Sequence, residues 1–569
     1  MRARLAVPNL AFALTLAGGG ALALVAPTAA QLPAVHPDSA LAHVRTLADD
    51  RYGGRAAGSP ESDSAAAYVA RAFAALGLVP LDDDTHGARG YLQPFSIAVG
   101  LSVDPASTLR VGGRELELGR DWLPFDFAAS GTVRSPVIFA DGADLTQAEA
   151  ASSRLDGRIA VLSDVTETYV NPHTGGVAEG PRYWATMARN AGAAAVIILT
   201  DSLRPLSLDE PPHNLGIPAV QLRRSALGGA AEDAPWALGL MVAPARAPTS
   251  NVVAMLRGRD PALRNEAVIV GAHYDHLGLG GSGSLAPDVR AIHNGADDNA
   301  SGVAALLEAA RALAAAAPPR RTIVFAAFGA EEKGLLGSSH YVDRPPIPLD
   351  RTVAMLNLDM VGRLRYDDLH VFGVGTAQGF GELVESRAKA LGFDLTTSPD
   401  GFGPSDHASF YAAGVPVLHF FTGTHADYHR PSDNWEKVNA RGIARIAELT
   451  AALALEIADR EQRPVYVAQA RPQPSRGGDG YGAYLGTIPD FGEVSEGGVR
   501  ISGVRADSPA ETAGLEAGDV IVRFNERTIA NLYDLTYALR DHTAGDTVRI
   551  TVHRGDGEHT LTAVLGKRR

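Results

Sequence analysis

An α/β fold on a mainly parallel sheet is predicted for the larger part of this 569-residue chain, on three observations. Residues 267–271, 321–328 and 353–358 are almost continuously apolar, which marks strands covered on both faces. Helical patterns alternate with them: residues 302–317, rich in Ala and Leu and closed by Pro318-Pro319, then 382–391 and 438–458, with a further strand at 415–420. Histidines and acids gather where these runs end, and open α/β sheets place their sites at the carboxyl edge of the strands.

The N-terminus reads as an export signal. Arg2 and Arg4 precede an apolar run from Leu5 to Val25, and Thr28-Ala-Ala30 offers small residues for cleavage before Gln31. Pro8 and the glycines at 18–20 weaken the alternative of a retained anchor helix, so a periplasmic or secreted protein with no membrane span after signal removal is expected. Segments 43–49 and 62–76 then have helical spacing; the second buries Tyr68, Val69, Phe73 and Leu76 on one face and stops at Gly77. Tyr52-Gly-Gly-Arg-Ala-Ala-Gly58-Ser-Pro60 separates them.

From about Ser107 to Ala247 the pattern changes to short apolar strands at 137–139, 158–162, 195–199 and 217–220, with a helix pattern at 183–190 ending in Ala-Gly192. The order of strand, helix with Asn-Ala-Gly-Ala, apolar strand and Ile-Pro-Ala-Val resembles the protease-associated (PA) domain inserted into several peptidases. Residues 463–478, with Pro464, Pro472 and Pro474, read as a linker. Beyond it, segments 484–488, 499–504, 532–539 and 548–552 accompany Ser508-Pro-Ala…Ala-Gly514-Leu…Gly-Asp519-Val-Ile, and together they resemble a PDZ domain. The expected organisation is therefore signal 1–30, catalytic part 31–105, PA insert 106–249, catalytic part 250–462 with the metal site, linker 463–478 and PDZ domain 479–569.

Composition narrows the chemistry. A net charge of −14 with a pI near 5.6 excludes a nucleic-acid partner held by a positive field. With no cysteine, thiolate ligands and a Cys nucleophile are excluded, and any metal must sit on imidazole and carboxylate. Five segments supply such groups: His273-Tyr-Asp275, Asp297-Asp298-Asn, Glu331-Glu332, Asn-Leu-Asp359 and Tyr428-His429-Arg-Pro-Ser-Asp433. Hydrolysing an amide requires an activated water and a Lewis acid, which two divalent ions about 3.5 to 4 Å apart provide. His273 follows a buried strand, and Asp275 is placed to accept its other ring N–H. The turn at 297–299 holds more acceptors than an N-cap requires, so one of them serves a cation. Of Glu331 and Glu332, one is read as a ligand and its neighbour as a proton acceptor. Asp359, amid apolar neighbours, would be costly unless paired or coordinated. His429 stands in a polar loop, with His276, His293, His407, His419 and His425 as competitors that spacing does not exclude.

Together with Gly-Ala-Glu-Glu-x-Gly-Leu-Leu-Gly-Ser, these motifs in this order resemble the cocatalytic di-zinc aminopeptidase family, which includes glutamate carboxypeptidases, over about 36–104 and 250–460. The resemblance implies an α/β sandwich of zinc-peptidase type and two Zn2+. Asp298 would bridge the ions, His273 and Asp359 would complete one site, Glu332 and His429 the other, and Glu331 would be the general base. Some members carry a Tyr ahead of Ser405-Asp-His407 that stabilises the oxyanion; here Phe402 stands there, which leaves Tyr428 or the metals for that task. The implied activity is an exported aminopeptidase acting on peptides. Carboxypeptidase, dipeptidase or glutaminyl cyclase chemistry on the same scaffold is the alternative, as is a catalytically dead PA/PDZ binding protein. In the PDZ domain, Leu485, Gly486 and Thr487 form the loop expected to take the carboxylate of a C-terminal peptide.

Overall fold

The computed structural model describes residues 32–81, 87–141, 145, 154–163, 168–170, 177–206, 215–228, 235–281, 283–286, 289–469, 483–489, 498–504, 508–516, 518–529, 535, 538–539, 542, 544–555 and 557–567. The expected signal at 1–30 lies outside these, as do most of segment 532–539 of the expected PDZ domain and residues 470–478 of the expected linker.

Three apolar runs become the centre of a nine-stranded sheet. Ala267–His273, Thr322–Phe328 and Thr352–Leu358 are buried at every position, and with Val417–Phe421 they run parallel to one another. The flanks are antiparallel: Val242–Leu256 pairs with Thr322–Phe328, and Asp368–Phe372 with Val417–Phe421. Because successive side chains of a strand face opposite ways, one run feeds two cores. Val268, Val270 and Ala272 meet the helices Pro37–Leu47, Pro60–Ala75, Gly302–Ala314 and Ala440–Asp459. Ala267 and Ile269 meet Tyr341, Phe410 and Tyr411 on the other face. Gly271 lies where a Cβ would fall 2.6 Å from the Phe328 ring, so no larger residue fits that crossing.

The helices start where local chemistry places them. Ser59 caps Pro60–Ala75 by accepting the Ser62 amide, and Asn439 caps Ala440–Asp459 by accepting that of Gly442. The first helix runs over Pro37–Leu47 rather than 43–49: Pro37 at its first position tolerates the missing N–H, a start signal that the apolar spacing alone does not carry.

Residues from Thr108 to Leu240 have their own core around Trp122, Trp184 and Trp236. A five-stranded sheet ordered Trp122–Pro124, Ala219–Arg223, Ala195–Thr200, Ile159–Leu162, Val137–Ala140 faces a four-stranded antiparallel one. This body joins the large sheet through a ribbon, in which Leu92–Val103 pairs with Val242–Leu256 from Val242↔Val103 to Val252↔Leu92. The expected change of domain at 249 falls within that continuous strand. Residues 463–469 lie on the body of the large sheet: the Val467 amide donates to Thr376 O at 2.8 Å and the Gln469 amide to Tyr411 Oη at 2.9 Å. At the C-terminal end, Thr487–Pro489, Val499–Val504, Val520–Phe524, Thr547–Arg554 and Gly557–Val564 form one sheet over Leu485, Ile501, Ile521 and Ile550. Among the described residues no helix is long and apolar enough to cross a membrane.

One buried acid ties the first helix to the helix Gly302–Ala314. Glu308, 1% exposed, accepts from Ser39 Oγ at 2.5 Å and Arg311 Nε at 2.9 Å, with His43 Nε2 3.5 Å away. Burial alone would raise its carboxyl, but the bonds from His43, Arg311 and Ser39 outweigh that and hold it at about 2. A depressed folded value stabilises the fold fully above the ordinary 4.5 and loses that contribution as pH falls toward 2. Glu308→Gln is therefore expected to cost about 1–3 kcal/mol at pH 7, read as a lower thermal midpoint. The gap from the parent should close as the pH is lowered below 4.5.

Candidate metal centre

The parallel strands end at one edge, and their exits carry the polar groups. His273 closes its strand, Asp359 follows Thr352–Leu358, and Glu331-Glu332 sit on the turn after Thr322–Phe328, reached through Ala330 in the left-handed region at φ 59°. The acidic turn at 296–301 enters between them, with the Asp298–Asn299 peptide cis.

That turn divides its three polar side chains among three tasks. Asp297 is structural: its Oδ1 accepts from the Gly362 amide at 2.6 Å and Ser301 Oγ at 3.0 Å, and its Oδ2 lies 3.1 Å from His425 Nε2. Asn299 laces two strand ends, its Nδ2 donating to His273 O and Leu358 O, both at 2.9 Å. Asp298 alone turns toward His273, His276 and His429.

Two donor groups share it. His273 Nε2 stands 3.3 Å from Asp359 Oδ1, 3.6 Å from Asp298 Oδ1 and 4.0 Å from Glu331 Oε2. On the other side, His429 Nε2 is 3.2 Å from Asp298 Oδ2 and 3.4 Å from Glu332 Oε2. His276 reaches the same Glu332 from the core side, its Nδ1 2.7 Å from Oε1 and 4.0 Å from Asp298 Oδ2. The donor atoms of His273, Asp298 and Asp359 all lie within 4.8 Å of one another, as do those of His276, Asp298 and Glu332. Each of the five expected ligands is thus in one cluster, with His276 as a sixth group. The Nδ1–H of His429 donates to Gly283 O at 2.8 Å, which leaves Nε2 free to face the acids.

Asp275 is placed differently from the expectation. It is fully buried, but its Oδ1 is 3.9 Å from His273 Nδ1, beyond hydrogen-bond reach, and its two oxygens accept the amides of Glu331 at 3.0 Å and Glu332 at 3.3 Å. It positions the two glutamates by their backbone. Tyr428 stacks on His429 with centroids 3.9 Å apart. Phe402 packs edge-on against Tyr411, and no tyrosine stands at its position.

The electrostatics ask for positive charge. Burial raises the Asp298 and Glu331 carboxyls, and the Glu332 charge raises both further. Burial pushes His273 down, but Glu331 and Asp359 more than reverse it; His429 is likewise pulled up, to about 9, by Asp298 and Glu332. Asp359 lies well below the ordinary carboxylate range, because the His273 charge overrides its burial. Acids and imidazoles packed this closely, with oxygen and nitrogen donors only, fit a pair of divalent cations sharing one carboxylate.

Two supports were not legible as such in the sequence. Asp433 caps the acidic turn: its Oδ2 accepts the amides of Asp297 at 2.8 Å and Asp298 at 3.2 Å, and its Oδ1 accepts from Arg363 Nη2 at 2.8 Å. Arg55, 1% exposed, donates to the carbonyls of Tyr274, Asn294 and Gly295 at 2.8, 2.7 and 3.0 Å and to Leu47, clamping the loops that carry His273 and Asp298. Burial lowers its guanidinium to about 10 against the pull of Asp275 and Asp298. A lone arginine within the small-residue run 53–58 was the only trace of it. The other competing histidines find places outside the cluster. His293 bonds Ser284 and Ala291 O, His425 serves Asp297, and His407 stacks on His419 at 4.2 Å.

Residues 251–454 match the model of Peptidase family M28, and residues 488–565 that of a PDZ domain. Aminopeptidase YwaD of Bacillus subtilis (strain 168) is 32% identical over 321 residues, which are 54% of this chain and 64% of that protein. Leupeptin-inactivating enzyme 1 of Streptomyces exfoliatus is 32% identical over 194 residues, 33% of this chain and 38% of that one. The chain thus spans less than two thirds of the length of these curated relatives. The solved structure of BSAP, a zinc aminopeptidase from Bacillus subtilis, aligns over 76% of this chain and 97% of its own at 26% identity, with a TM-score of 0.48. The likeness to Peptidase family M28 thus lies in residues 251–454, and the likeness to a PDZ domain in residues 488–565.

Proposed function

We propose that this chain is an exported, zinc-dependent aminopeptidase that removes N-terminal residues from peptides. The observation that carries the reading is Asp298, shared between two donor groups at 3.6 Å from His273 Nε2 and 3.2 Å from His429 Nε2. His273, Asp298 and Asp359 would hold one ion, and Asp298, Glu332 and His429 the other. Imidazole with carboxylate suits zinc. When bound, the ions supply Lewis acidity that polarises the scissile carbonyl and brings a water's pKa toward neutrality. Glu331, beside His273, takes a proton from the attacking water and returns it to the leaving amide nitrogen. Burial, then Asp298 and Glu332, raise the Tyr428 phenol, so its O–H stays protonated and donates to the developing oxyanion. Carboxylates around the cluster attract the substrate's free ammonium, which selects the N-terminal end.

Export is supported by the N-terminal pattern of basic, apolar and small residues at 1–30. The body at 106–249 is read as a PA insert that limits substrate size, supported by its strand order and separate core. In the PDZ region, the Leu485–Thr487 loop is read as the site for a peptide carboxylate. The Ala510 amide bonds Leu485 O at 2.8 Å, and Gly486 adopts φ 89°.

Glu331→Ala should keep two equivalents of metal by elemental analysis and its thermal midpoint, yet lose about 10²- to 10⁴-fold in kcat; undiminished turnover removes Glu331 from this role. Blocking the substrate amine tests the end specificity: an N-acetylated peptide should be cut at least about a hundredfold more slowly than the free one. Equal rates would favour the carboxypeptidase reading. Gly486→Val places a Cβ 2.3 Å from Ser508 Cβ at a positive φ. It should abolish capture of C-terminal peptides by fluorescence anisotropy while leaving hydrolysis of short free-amine substrates unchanged.

A further inference from the structure

The imidazole of His276 is buried beside the centre, and nothing in the two-cation reading uses it. It is 1% exposed, and its ring makes one hydrogen bond, from Nδ1 to Glu332 Oε1 at 2.7 Å. Its Nε2 is buried with no partner. The backbone holds the residue firmly: the His276 amide donates to Arg55 O at 3.2 Å, and the ring packs so closely on Gly295 that a Cβ there would fall 2.5 Å from Cδ2. A ring so fixed, with one polar contact, has one polar task.

That task concerns how Glu332 presents itself. With Oε1 engaged by His276, the other oxygen, Oε2, is the one facing His429 Nε2 at 3.4 Å, on the side of Asp298. Glu332 is on a turn rather than a strand, and Asp275 anchors only its amide, so its side chain needs a separate restraint. We propose that His276 is a positioning residue for the second cation: its Nδ1–H holds one oxygen of Glu332 and thereby turns the other toward Asp298 and His429. A hydrogen-bond donor behind a ligating carboxylate restricts its rotation and its choice between one-oxygen and two-oxygen binding. No hydrogen bond or ion pair joins His276 to His273 or Asp359; it approaches their site only at the shared Asp298, with Nδ1 4.0 Å from Oδ2. The proposal rests on the two-cation reading, and it makes the two ions unequal in their dependence on this one ring.

The test is metal binding to the chelator-stripped full chain, titrated with Zn2+ by calorimetry against a competing chelator. The parent should take two equivalents. His276→Ala should bind one of them with unchanged affinity and the other about 10- to 100-fold more weakly. His276→Asn carries an amide N–H near the Nδ1 position and should restore most of that loss, whereas His276→Gln, whose amide lies nearer Nε2, should not. If His276→Ala does not fold, the contrast of Asn with Gln carries the test. Two unchanged equivalents in the alanine variant would overturn the proposal. So would equal weakening of both, which signals general loosening, or failure of His276→Asn to recover, which points to a direct ligand. A parent that binds no zinc would overturn the two-cation reading itself.

Discussion

Several carboxylates must be held out of water within a few ångströms of one another, and much of the peptidase region serves that constraint. Asp298, Glu331, Glu332, Asp359 and Asp275 are all packed at one sheet edge, where an unpaired buried charge costs several kcal/mol. The protein meets this partly with its own cations and dipoles. Asp433 accepts the two amides of the acidic turn and is itself met by Arg363. Arg55 donates to carbonyls rather than to any carboxylate, so it contributes charge without consuming an oxygen that a ligand needs. What remains is a surplus of acid centred on Asp298, and this surplus gives the site its demand for divalent ions.

The geometry that delivers these groups is a property of the sheet. Parallel strands bring their carboxyl ends to one edge, so His273, Asp359 and the Glu331 turn arrive together although up to 86 residues separate the first two. The two packed faces then fix each strand's rotation. Val268, Val270 and Ala272 bind it to the long helices and Ile269 to Phe410 and Tyr341, so His273 has no freedom to turn away. Rigidity at the strands permits precision at their exits, where Ala330 and His429 occupy the left-handed region at φ 59° and 52°. The body at Thr108–Leu240 joins through a ribbon whose strand Val242–Leu256 continues into the large sheet beside Thr322–Phe328, a stiffer connection than a flexible linker.

Sequence reading and structure part company inside pairs of adjacent residues. That residues 297–299 hold more acceptors than a cap uses was legible in the sequence. Which of them faces the two donor groups was decided by distant contacts: Gly362 and His425 engage Asp297, two strand ends engage Asn299, and Asp298 is left. Asp275 was legible as a partner within the site, but its oxygens face the glutamate amides rather than the His273 ring. Arg55 lies 219 residues from Tyr274, and no local pattern announces a contact of that span.

The sequence by itself determined that three apolar runs would be buried on both faces and that their ends would carry imidazole and carboxylate. Continuous hydrophobicity admits no exposed face, and buried charge at a strand exit has few uses. Only the tertiary structure decided how the neighbours divide their work, and which of His276 and His429 faces Glu332 from the core and which from the loop. Those outcomes depend on the direction of each side chain at a strand exit, which is set by packing and hydrogen bonds from segments scores of residues away.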